Sequence, residues 1–108
     1  MAAWSEWRFF PDPRKGEALV APLGAGCYDL RLGDEKILFG RGGHLALRMT
    51  SLLPRPEGTG TRNNTDKRAF VLANLGRIEY RTIAFTQIED SRKCEAELKA
   101  TGSYRFTT

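Results

Sequence analysis

The sequence predicts a small α/β fold, a three-stranded, mainly antiparallel sheet flanked by helices, and three observations carry the prediction. Two short apolar runs at residues 27–32 and 36–39 surround the turn cluster Gly33-Asp34-Glu35, the pattern of a β-hairpin. Residues 78–86 (IEYRTIAFT) form a further run rich in β-branched and aromatic side chains. Apolar residues recur at helical spacing after the hairpin, near residue 70 and near residue 94, each time bounded by capping or stop residues.

Taken in order, the chain opens on an aromatic arm. Trp4, Trp7, Phe9 and Phe10 precede Pro11-Asp12-Pro13, where two prolines forbid regular helix. Residues 1–23 are therefore expected to pack on the sheet as an arm, and residues 26–106 to form the core of a single domain. Residues 17–21 read as a brief strand or extended run, and Gly24-Ala25-Gly26 as a flexible entry to the hairpin. The second hairpin strand passes into Gly40-Arg41-Gly42-Gly43, read as a glycine-rich corner, and then into a helix that opens with apolar residues at Leu45, Met49, Leu52 and Leu53. Residues 54–64 offer nothing apolar to bury and read as a loop, long for so small a domain and hence functional or mobile.

Thr65 or Asn64 caps the next helix, with Ala69, Phe70, Leu72 and Ala73 as its body and Gly76 as its C′ stop. In residues 78–86 the apolar phase shifts between Tyr80 and Ile83, which implies a bulge or a strand buried on both faces, and a central place in the sheet. Asp90 or Ser91 caps the last helix, which runs through Lys99 to a stop at Gly102.

Composition narrows the class of protein. A chain of 108 residues that is 41% hydrophobic and 28% charged has the make-up of an ordinary globular domain, not of a disordered one. The first residues lack an apolar core and carry Glu6, and no stretch is long enough to span a bilayer, so a cytoplasmic setting without membrane contact is expected. Two distant cysteines, Cys27 and Cys94, and a single histidine indicate neither a disulfide framework nor a zinc site. Both cysteines read as small buried hydrophobes.

The net charge of +4 is unevenly spread. Between Arg41 and Arg81 eight basic residues, Arg55, Arg62 and Lys67 among them, face three acids, so this segment carries +5 and the remainder is slightly acidic. An arginine-rich segment suits phosphate contacts because the guanidinium fork matches phosphate oxygens. Charge by itself fits a solvated basic surface at least as well.

On the last helix Ser91, Cys94, Glu95 and Leu98 fall on one stripe, and Glu97 lies about 200° from Glu95. A carboxylate beside an apolar seam is costly unless it meets a cation, a metal or hydrogen-bond donors. Pairing of Glu95 with Lys99, one turn on, is the equal alternative.

Gly26-Cys27-Tyr28, then Leu38-Phe39-Gly40, then Arg48 eight residues past that glycine, then a glutamate on a late helix, together resemble the GIY-YIG nuclease superfamily. The likeness spans residues 26–106. The spacing of Leu98 three residues, and Phe106 eleven residues, after Glu95 resembles the family's end and selects Glu95 over Glu97. Phe39 stands where the family usually has tyrosine, Cys27 where it has an aliphatic residue, and Thr107 where asparagine is common.

The resemblance implies a metal-dependent endonuclease acting on DNA, with Mg²⁺ or Mn²⁺ held by Glu95. It places Arg48 on the scissile phosphate and gives Tyr28 the positioning or deprotonation of water, which a phenol performs only with a cation nearby. His44, one turn before Arg48, is a candidate to orient water or donate to phosphate, the alternative being a surface histidine at a helix start. Arg41, Gly42 and Gly43 precede a helix N-terminus, where backbone N–H groups attract phosphate, and Arg55 and Arg62 are candidates for further DNA contacts. A binding module that has lost chemistry, marked by Phe39, and a protein-interaction domain are the other expectations.

Overall fold

A computed structural model describes residues 3–53 and 65–106. Four antiparallel strands form one sheet: β1 (Arg8–Phe9), β2 (Gly26–Leu32), β3 (Glu35–Gly42) and β4 (Ile78–Ala84), in the spatial order β1-β4-β2-β3. Three α-helices accompany it, α1 (Leu45–Met49), α2 (Thr65–Ala73) and α3 (Ile88–Ala100). The sheet thus has one strand more than the sequence predicts. The aromatic arm supplies it, since Arg8 and Phe9 pair with Tyr80 and Glu79 along the edge of β4 that β2 leaves open.

The hairpin forms as expected, with Gly33 at φ +60° in its turn. The corner does not. β3 continues through Gly40, Arg41 and Gly42, and none of Gly40, Gly42 and Gly43 has positive φ, so turn geometry does not explain these glycines. Close approach does for two of them. Gly40 lies opposite Tyr28, and a Cβ there would sit 2.6 Å from Cε1 and Cζ of the Tyr28 ring. Gly42 lies opposite Gly26, and a Cβ on it would reach Arg48 Cβ at 3.2 Å. Gly40→Ala is therefore expected to cost about 1–3 kcal/mol by overpacking, whereas Gly43→Ala, whose Cβ would meet only Ile88 Cδ1 at 3.6 Å, should be close to neutral. Thermal melts of the two variants check this.

Strand alternation sorts the core into two layers. Tyr28, Leu30, Leu38, Tyr80 and Ile78 face Leu45, Met49, Leu52 and Val71 from the α1–α2 side, with Phe10 from the arm. Cys27, Phe39 and Ile83 face Cys94, Leu98 and Tyr104 from the α3 side. β4 is therefore buried on both faces, the second of the two readings of its phase shift, and its pairing with β2 runs without interruption. The irregularity lies instead between β2 and β3, at Leu30 and Arg31.

The helix boundaries differ in detail. α1 has five residues and tightens into a 3₁₀ turn over Thr50–Leu52, which still buries Leu45, Met49, Leu52 and Leu53. In α2 the fully buried position is Val71, and Gly76 (φ +89°) lies three residues beyond Ala73 in a turn in which Arg77 N–H donates to Asn74 O. α3 starts at Ile88 behind Gln87, earlier than Asp90 or Ser91, because the Ser91 hydroxyl is buried and donates back to Ile88 O at 2.6 Å. Residues 17–21 form no strand; Val20 N–H and C=O are both bonded to the Tyr80 hydroxyl. Past α3, Arg105 and Phe106 N–H groups donate to Lys36 O and Ile37 O and cover the outer edge of β3. Among the described residues no helix is long and apolar enough to cross a membrane.

Candidate functional site

Glu95 follows from the phase of α3. Ser91, Cys94 and Leu98 are buried, Glu97 is exposed, and Glu95 lies between them in exposure, at the border of the seam. Its partner is Arg41 on β3, whose Nε lies 3.4 Å from Glu95 Oε1, and not Lys99. The two side chains are 32% and 29% exposed, so water screens the pair in part. Beneath it lies Cys27, the strand partner of Arg41, with its thiol 3.2 Å from Ser91 O. Burial, then the neighbouring Cys94 and Glu95, push the Cys27 thiol well above its ordinary value, and burial raises Cys94 as well. Both act as inert core residues, as expected from sequence.

Tyr28 and Arg48 belong to the other side of the sheet. Tyr28 is 7% exposed and its ring crosses the bare backbone of Gly40, while Arg48 rises beside Gly42. An open recess of about 220 Å³ is lined by Gly42, Gly43, His44, Leu47 and Arg48. Leu47, 65% exposed, forms an apolar element of its lining.

The two sides meet electrostatically through Lys67 on α2. Burial lowers the proton affinity of its half-buried amine, the nearby Arg48 lowers it further, and Glu95 opposes both. Arg68, the next residue, fixes this turn of α2 by donating from Nε and Nη2 to Leu53 O at 3.1 and 2.8 Å, just past the turn that follows α1. Lys67 thus lies within electrostatic reach of both Arg48 and Glu95, and Arg41 is the cation that pairs with Glu95. The sequence puts Lys67 in the basic segment without placing it near Glu95, because its position depends on how α2 docks.

The structure bears on two further expectations at this recess. His44 is the N-cap of α1, its Nδ1 accepting from Leu47 N–H at 3.1 Å, so only Nε2 remains to face the recess. The backbone donors expected for phosphate are also taken: Leu45 N–H donates to Gly24 O, Ala46 N–H to Pro22 O and Leu47 N–H to His44. Gly42 and Gly43 therefore shape the recess without presenting a helix N-terminus to an anion. Arg55 and Arg62 lie outside the described residues.

A second polar cluster went unread in the sequence. Asp29, 1% exposed on β2, accepts from Arg81 Nε at 3.0 Å and Nη2 at 2.9 Å through one oxygen, and from the Tyr104 hydroxyl at 2.6 Å through the other. Arg81 also stacks on Trp4 and Trp7, at 4.3 and 4.8 Å from the ring centroids. Burial and the bond to Asp29 push the Tyr104 phenol well above its ordinary value. All three members are internally paired, so the cluster reads as the polar lock of the α3 side and of the arm.

Among the described residues no three His, Cys, Asp or Glu side chains converge as a metal-binding group. The donor set at Glu95 is a single carboxylate, which fits a hard cation that keeps most of its waters. It does not fit a tightly held resident ion. Comparison with protein-family models, with curated proteins and with solved structures finds no match for this chain.

Proposed function

We propose that the chain is a GIY-YIG-like, metal-dependent endonuclease that hydrolyses phosphodiester bonds in DNA. The observation that carries the reading is the Arg41–Glu95 ion pair at the border of α3, with Lys67 in electrostatic reach both of Glu95 and of Arg48, which lines an open recess. Such an arrangement offers guanidinium and ammonium donors to a phosphate and one hard oxygen donor to a divalent ion. The order of Gly26-Cys27-Tyr28, Leu38-Phe39-Gly40, Arg48 and Glu95 along the chain supports the same reading.

Phosphodiester hydrolysis requires alignment of attacking and leaving oxygens, stabilisation of charge at phosphorus and removal of a proton from water. Arg48, at the recess, binds the scissile phosphate and offsets the developing charge. Glu95 would hold Mg²⁺ or Mn²⁺, which would supply charge stabilisation and make water at the site more acidic. Tyr28 positions or deprotonates the attacking water, and the Gly40 backbone fixes the plane of its ring. His44, fixed by its cap bond, has Nε2 available to orient water or donate to a phosphate oxygen.

One observation favours a binding module without chemistry. Phe39 is buried edge to face against Tyr104, 4.8 Å between centroids, and brings no hydroxyl to the Glu95 side of the sheet. Binding itself is tested by the salt dependence of affinity for duplex DNA. Affinity is expected to fall steeply with salt, Arg48→Met to lower the slope by about one, and joint replacement of Arg55 and Arg62 to lower it by about two. Salt-independent binding would point to a protein partner.

A further inference from the structure

Resting on the DNA reading proposed above, we infer that the recess seats an unpaired nucleobase on an apolar rim of Leu47, Leu23 and Ile88. The substrate is then DNA with a base displaced from its stack. Five large apolar side chains are exposed among the described residues, and three of them converge on the start of α1. Leu47, on α1, lines the recess itself. Ile88, the first residue of α3, brings Cδ1 to 3.6 Å from where a Cβ on Gly43 would lie, and Gly43 is part of the same lining. Leu23, 75% exposed, stands between Pro22 and Gly24, whose carbonyls accept from Ala46 and Leu45 N–H and so fix it beside the first turn of α1. Single exposed apolar residues are ordinary on a surface; several gathered about a concavity mark a binding site.

The chemistry of the recess selects the occupant. At about 220 Å³ it is smaller than the pockets of about 300–1,000 Å³ that enclose a whole drug-sized ligand, and it suits one planar group. It also holds a donor of fixed direction. Because His44 Nδ1 accepts from Leu47 N–H, the ring carries its proton on Nε2. A nucleobase has apolar faces and hydrogen-bond acceptors along its edges, which match the rim and the His44 donor respectively. Leucine and isoleucine are among the side chains that take the place of a neighbouring base against an unstacked one. In an intact duplex those faces are covered, so a base that is already unpaired enters at the least cost. Arg48 lines the same recess, which puts the seated base next to the phosphate contact of the proposed reaction.

The test measures affinity by fluorescence anisotropy with the full chain and no divalent cation, so that nothing is cut. Its probes are a short intact duplex and the same duplex carrying one unpaired adenine. The wild type is expected to bind the second about tenfold more tightly, the scale of one stacked base. Leu47→Ala, a good helix former that keeps the backbone N–H bonded to His44, should reduce that preference to about twofold or less. Phe9→Ala removes a similarly exposed apolar side chain from β1, at the opposite edge of the sheet from β3, and should leave the preference at its wild-type value. Equal affinity for the two duplexes, an unchanged preference in Leu47→Ala, or the same loss in Phe9→Ala overturns the inference. Affinity for neither duplex overturns it too and leaves the rim to a protein partner. A Leu47-dependent preference in a protein that cuts no DNA would retain the inference and defeat the nuclease reading. Cutting without such a preference would do the reverse.

Discussion

Asp29→Ala is expected to lower stability by about 2–4 kcal/mol, among the largest losses from a single substitution in this chain. Removing one partner of a buried ion pair typically costs about 3–5 kcal/mol, because the remaining charge stays desolvated and unpaired. Here Arg81 keeps 28% of its side chain exposed, so water recovers part of that loss. The Tyr104 hydroxyl loses its acceptor in the same stroke, and the stacking of Arg81 on Trp4 and Trp7 loses the carboxylate that orients it. For a domain of this size each kcal/mol moves the melting temperature by about 4–8 °C, so a drop of about 10 °C or more is expected in a thermal melt. Arg31→Met, which breaks the more exposed pair with Glu79 at 3.1 Å, should cost less than about 1 kcal/mol. Equal effects from the two variants would deny Asp29 its role as a lock.

The other large effect is on activity. Glu95→Gln is expected to reduce DNA cleavage by about a thousandfold or more, because the amide keeps the volume and loses the charge that holds the metal. Its fold should be intact, since Glu95 is about one third exposed and its ion pair with Arg41 is partly screened. Duplex binding should survive as well, because the cations Arg41, Arg48 and Lys67 remain. Glu97, on the exposed side of α3, provides the control, and Glu97→Gln should be mild in every assay. Cleavage lost with Glu97→Gln and kept with Glu95→Gln would place the metal ligand on the wrong side of the helix.

What could be read before folding was whatever depends on local periodicity. The hairpin followed from two apolar runs about a turn, and the place of Glu95 beside Cys94 and Leu98 followed from the helical wheel. What could not be read depends on register between distant segments. Asp29 meets Arg81 only because β2 and β4 pair in that register, and Arg41 meets Glu95 only because α3 lies across that end of β3. Arg8 and Phe9 carry no alternation long enough to announce a strand; the open edge of β4 makes them one. The glycines of β3 were read as a corner because glycine in sequence marks both turns and close contacts, and only the Tyr28 ring over Gly40 separates the two.

The most direct test of the nuclease reading is cleavage of plasmid DNA by the wild-type protein with Mg²⁺ or Mn²⁺, run beside Phe39→Tyr and Tyr28→Phe under one condition. Phe39 lies on the Glu95 side of the sheet and Tyr28 on the Arg48 side, so their contributions are separable. With Tyr28 carrying the water chemistry, the wild type is expected to cut, Phe39→Tyr to cut at a similar or higher rate, and Tyr28→Phe to be nearly inactive. A wild type that leaves the plasmid intact with either ion, whether or not Phe39→Tyr restores cutting, would contradict it.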